Sequence, residues 1–105
     1  MKNIGLNKIN VLVTGAANGV GQSIIKSLRL SKLKLNIIPA DINDKNPLRY
    51  RFAKYIIFPK VEDKKSLNLI IKIILKNKIK ILFPGSEFEI RFFAKNKNFI
   101  ENKTN

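Results

Sequence analysis

Residues 15–21 read Gly-Ala-Ala-Asn-Gly-Val-Gly, and what flanks them limits the fold this chain can take. Before them runs Ile9 to Thr14 (INVLVT), short, apolar and rich in β-branched side chains, which suits a buried parallel strand. After them Val20, Ile24, Ile25 and Leu28 recur at helical spacing and predict a helix from about Val20 to Leu30. Gly15 permits a tight turn straight off the strand, Gly19 lets a ligand come close to the backbone, and Gly21 lets the helix pack near the strand.

The rest of the chain repeats this alternation. Asn36 to Ala40 (NIIPA) predicts a second strand, in which Pro39 implies a position whose backbone donor is not needed. Asp41 to Pro47 (DINDKNP) is dense in turn formers and reads as loop. Tyr55 to Phe58 (YIIF) is a third short strand stopped by Pro59, and Ile79 to Phe83 (IKILF) a fourth, ended by Pro84-Gly85. Between them a helix from about Lys64 to Asn77 carries apolar residues over most of its circumference, more than one sheet face covers. That excess predicts a further layer or self-association through helix 64–77. Ser86 and Glu89 have capping-box spacing and should open a last helix whose apolar contacts are Ile90, Phe92 and Phe93. From about Asn96 the chain turns polar and is expected to fray, leaving an ordered core of about 9–95 in a single domain, 1–105.

Strands alternating with helices over short connections imply a parallel sheet, and right-handed crossovers favour the order 3-2-1-4. The expected fold class is therefore α/β: a Rossmann-like parallel sheet of about four strands with helices on both faces.

Composition removes several chemistries. With no cysteine there is neither a disulfide framework nor a thiolate metal site, and with no histidine the commonest general base and metal ligand is missing. No catalytic residue and no metal site is assigned. The formal charge of +14 raises nucleic acid as a partner. Against that, 17 of the 21 basic residues are Lys, scattered along the chain, and Ile, Lys and Asn make up 47 of 105 residues. That bias is the one A/T-rich codons produce, whereas phosphate and base recognition recruits Arg. Nucleic acid is not the expected partner. Leu67 to Leu75 is too short and too interrupted to span a membrane, and Val11 to Val13 is too short for a signal sequence, so the expected location is cytoplasmic.

The candidate ligand-binding residues fall in three places. Gly15, Asn18, Gly19 and Gly21 lie where a helix N-terminus favours an anion, so a phosphate or other small-molecule ligand fits there. Asp41 lies 20 residues beyond Gly21 at the end of the second strand, where dinucleotide sites place an acid on the adenosine ribose; the other reading is a solvated loop carboxylate beside Asp44. Gly85, Ser86, Glu87 and Glu89 follow the fourth strand, whose tip the order 3-2-1-4 sets beside the glycine loop at the switch point of the sheet. Glu87 or Glu89 could meet an amine or a hydroxyl there, although capping alone explains Ser86 and Glu89.

Two family resemblances follow. T-G-x-x-x-G-x-G with Asp41 resembles the opening of short-chain dehydrogenases/reductases, which implies NAD(P). The chain departs from them after strand four, where Phe83-Pro84-Gly85-Ser86-Glu87 replaces an Asn-Asn-Ala-Gly-like segment, and Tyr50 and Lys54 have the spacing of the catalytic pair in the wrong element. The broader resemblance, over roughly residues 9 to 95, is to the N-terminal pre-ATP-grasp domain of ATP-grasp ligases similar to the carbamoyl-phosphate synthase large chain. It rests on VLVTGAANGVGQSIIKSLR, IIPADIN, YIIFPK and KIKILFPGSEFE in that order. It implies a carboxylate–amine ligase domain on the substrate side of the active site. A full-length member uses ATP and Mg, while this chain carries no cofactor of its own, is not expected to catalyse alone, and is completed by a missing ATP-grasp domain or subunit. A third reading is a non-enzymatic interaction module using helix 64–77.

Overall fold

The computed structural model describes residues 8–61 and 64–105. Its elements in chain order are β1 (Ile9–Val13), α1 (Gly19–Leu30), β2 (Leu35–Asp41), a 3-10 turn (Pro47–Tyr50), β3 (Ile56–Ile57), α2 (Lys64–Lys76), β4 (Ile81–Phe83) and α3 (Glu87–Thr104). The sheet has four strands in the order β3-β2-β1-β4, as the alternation predicts. Every pairing is parallel: Val11 lies opposite Ile37 and Ile81, Leu12 opposite Ile38 and Leu82, and Ala40 opposite Ile56.

Strand pleat divides the core in two. Leu12, Ile38, Ala40 and Phe58 face α2 and α3, where they meet Ile70, Ile74 and Ile100. Val11 and Val13 face α1, where they meet Ile25 and Ala16. Pro39 sits inside β2 without cost to the ladder. It shares the parity of Asp41, whose carbonyl accepts from the Phe58 N–H on the β3 side, and pairing with β3 begins only at Ala40. The missing N–H therefore points to a place short of the partner strand.

The wide apolar surface of α2 is partly explained by its neighbour. Helix α3 lies on the same sheet face, so Ile70 and Ile74 are buried between the sheet and the α3 residues Phe92, Phe93 and Ile100. Leu69 and Leu75 point outward and stay 50% and 52% exposed.

The structure corrects the expected fraying beyond Asn96. Helix α3 continues to Thr104 because Ile100, two turns past Phe93, is 7% exposed and part of the larger core. Asn96 and Thr104 each bond the carbonyl four residues back, at 2.8 Å, so the polar positions follow the helix rather than end it.

Candidate functional site

The glycine loop is held from three sides. Thr14 N–H donates to the Phe83 carbonyl and Ala16 N–H to the Ala40 carbonyl, each at 3.0 Å, so β4 and β2 both fix its start. Gly15 turns the chain with φ of +57°, in the left-handed region that favours glycine. Ala17 N–H donates to Asp41 Oδ2 at 2.9 Å, and Asn43 N–H to Asp41 Oδ1 at 3.3 Å. Each oxygen of the candidate ribose acid thus already accepts a backbone N–H, and Asp41 clamps the loop to the end of β2.

Close packing behind the loop accounts for two further candidates. A Cβ on Gly21 would stand 2.3 Å from the Gly15 carbonyl oxygen, and one on Gly85 would stand 2.2 Å from that of Thr14. These residues let α1, the loop and the tip of β4 touch backbone to backbone. Gly19 differs, because a Cβ there would meet nothing within 4 Å. It opens α1 beside Asn18, whose side chain makes no capping bond.

The two acids that follow β4 separate according to helix phase. Ser86 is the N-cap of α3: its hydroxyl oxygen accepts from Glu89 N–H at 3.3 Å, and the hydroxyl donates to Glu89 Oε1 at 2.9 Å. Glu89 is thereby turned inward and is only 8% exposed. Its Oε1 lies where a Cβ on Gly15 would come within 2.6 Å of it. Glu87, in the first turn, faces solvent and pairs with Arg91 at 3.0 Å.

Gly15, Asn18, Asp41, Ser86 and Glu89 therefore line one cleft of about 270 Å³, together with Ile42, Pro59, Lys60, Val61 and Phe88. It sits at the carboxyl ends of β1, β2 and β4, where open parallel sheets bind ligands. Glu87 and Gly19 do not line it, and Gly21 and Gly85 support it from behind. Sequence reasoning passed over Lys60 and Phe88 as lining residues. It also passed over Thr14, whose buried hydroxyl faces the Glu89 carboxyl.

Burial pushes the Glu89 carboxyl above the usual carboxylate range, and the nearby Asp41 adds to the rise; the Ser86 and Thr14 hydroxyls and the Gly85 backbone work against it. The folded state therefore favours the protonated form. This group's contribution to stability is fully present below the ordinary glutamate value of about 4.3 and is lost as pH rises through the raised one. Glu89→Gln keeps an acceptor and a neutral group, so it should gain stability relative to the unsubstituted chain as pH rises. Urea unfolding of both proteins at about pH 3.5 and about pH 7 measures the difference, and a gap independent of pH would contradict the assignment.

Among the described residues, no group of three or more acidic side chains gathers as a metal site, and no helix is long and apolar enough to cross a membrane. A family model described as the PylC-like N-terminal domain matches residues 9–104. The chain belongs to that family. It is a pre-ATP-grasp domain of ATP-grasp ligases, as the ordered motifs imply, and the match runs through the last turns of α3. No curated protein matches the chain by sequence. Solved structures share its fold, and two illustrate it. One is the ADP-L-glycero-D-manno-heptose-6-epimerase of Helicobacter pylori, with a TM-score of 0.59 and 17% identity, covering 98% of this chain and 39% of that one. The other is a short chain dehydrogenase from Leptospira borgpetersenii serovar Hardjo-bovis with bound NAD+, with a TM-score of 0.54 and 17% identity, covering 99% and 48%. This pre-ATP-grasp domain thus spans less than half the length of either structure, and at that identity the likeness speaks to the fold alone.

Proposed function

We propose that this chain is the substrate-side N-terminal domain of an ATP-grasp carboxylate–amine ligase, completed by an ATP-grasp core that is joined to it or supplied by a partner subunit. The observation that carries the reading is the family match over residues 9–104. In this reading the cleft of Gly15, Asn18, Asp41, Ser86 and Glu89 meets the small-molecule substrate. Glu89 offers its carboxyl to an amine or hydroxyl, while Lys60 and the start of α1 suit a carboxylate or phosphate. In this reading ATP and its magnesium belong to the completing core, as the resemblance to ATP-grasp ligases implies. The finer likeness, to the carbamoyl-phosphate synthase large chain, rests on the ordered stretches from VLVTGAANGVGQSIIKSLR to KIKILFPGSEFE, the Pro-Gly-Ser-Glu-x-Glu turn at 84–89 among them.

The competing reading is an NAD(P)-binding fragment, favoured by the place of Asp41 at the end of β2. The engagement of both its carboxylate oxygens by loop amides weighs against it. The isolated chain is expected to release no phosphate from ATP and to oxidise no NAD(P)H, because it contributes no histidine or cysteine as base or nucleophile. Coupled phosphate-release and absorbance assays check both. Turnover of NAD(P)H by the chain alone would replace the ligase reading with the oxidoreductase one.

A further inference from the structure

On the far side of the glycine loop from the acidic cleft lies a second and larger groove, of about 620 Å³, between α1 and the segment that follows β2. Its wall is basic: Lys26 and Arg29 come from α1, and Arg51 comes from the other side, just after the 3-10 turn. Among the described residues, no acidic side chain lines it and the one ion pair is Arg91 with Glu87 on α3. Its floor is apolar, made of Ile25, Leu48 and Phe52, with the exposed Leu30 at its rim.

Compositional drift explains the lysines of this chain but not this arrangement. Arg is rare here, at 4 of 21 basic residues, yet the fold brings two of the four to one groove. Arg29 is also held in place, with its guanidinium 5.6 Å from the centre of the Phe52 ring. Lys26 and Arg29 stand one helical turn apart, a like-charge spacing that costs helix stability unless an anion sits between them. A planar guanidinium fork matches phosphate, and the apolar floor suits the body that carries the phosphate.

From the convergence of Arg29, Arg51 and Lys26 over an apolar floor, we infer that the groove between α1 and residues 46–52 binds a phosphate monoester with a planar or apolar body, such as a nucleoside monophosphate. This site is separate from the cleft at Asp41 and Glu89, and it stands or falls independently of the ligase reading.

The test is a titration of the full chain with AMP, followed by backbone amide chemical shifts. Perturbation is expected at Gln22, Lys26, Leu48, Arg51 and Phe52. Adenosine should bind at least about tenfold more weakly than AMP, and Arg29→Gln and Arg51→Gln should each weaken AMP about tenfold, the loss of one charge-assisted hydrogen bond. Lys95→Gln, on α3 away from the groove, should leave AMP affinity unchanged, and the melting temperature of each variant shows that it is folded. The inference is overturned if AMP does not bind at millimolar concentration, if adenosine binds as well, or if Lys95→Gln weakens AMP as much as the arginine variants. It is likewise overturned if the shifts fall on residues 14–18 and 86–89, or if a single-stranded RNA oligomer binds without dependence on Arg29 and Arg51.

Discussion

Gly85→Ala is expected to destabilise the domain by about 3 kcal/mol or more, enough to unfold a chain of ordinary stability under mild denaturant. The added Cβ would stand 2.2 Å from the Thr14 carbonyl oxygen, 2.9 Å from Gly21 Cα and 3.0 Å from the Gly15 oxygen. All of these are backbone atoms that no rotamer change can move aside. Gly21→Ala should have a similar effect, with its Cβ 2.3 Å from the Gly15 oxygen and 2.8 Å from Ala16 Cα. Gly19→Ala is the internal control. It occupies the first position of α1 with nothing within 4 Å, and should leave stability unchanged or raise it by up to about 0.5–1 kcal/mol. Urea unfolding of the three variants would separate them. Equal stabilities would mean that the backbone meeting of loop, α1 and β4 is wrongly placed.

Removal of residues 96–105 is expected to have the next largest effect. A frayed tail would be lost without consequence, but this segment carries Ile100, which packs with Leu12, Ile38, Ile70 and Ile74 in the larger core. Ile100→Ala alone should cost about 2–3 kcal/mol, and the deletion at least as much, because it also opens the ends of α2 and β4 to water. Unfolding midpoints measured for both variants decide the matter. A truncated chain as stable as the full one would restore the reading of a polar, frayed end.

What the sequence made legible was whatever depends on local pattern and handedness. The run of Ile9 to Thr14, the glycines after it and the spacing of Val20 to Leu28 announce β1, the loop and α1. Strand order follows from crossover handedness once the alternation is recognised. Features that depend on side chains meeting across the fold were harder to read. Ile100 follows Phe99 after a polar stretch, and which of the two is buried appears only when α3 lies over the sheet; the spacing of Ile100 from Phe92 and Phe93 was the available signal. The place of Asp41 was readable, but its bond to Ala17 N–H depends on the path of the loop. That Glu89 and not Glu87 turns inward follows from the capping box itself, because the third position after Ser86 points back over the cap. Arg29 and Arg51 come together only through the β2 crossover, and no local pattern in the chain announces it.

The central claim is that the switch-point cleft serves a ligase substrate and is not a dinucleotide site. Calorimetric titration of the chain with NAD+, NADP+ and Mg-ATP, repeated with Asp41→Ala, tests it most directly. The expected result is at most weak binding of any of the three, with no requirement for magnesium and no selective loss of NAD(P) binding in the variant. Tight binding of NAD+ or NADP+ that disappears in Asp41→Ala would contradict the account.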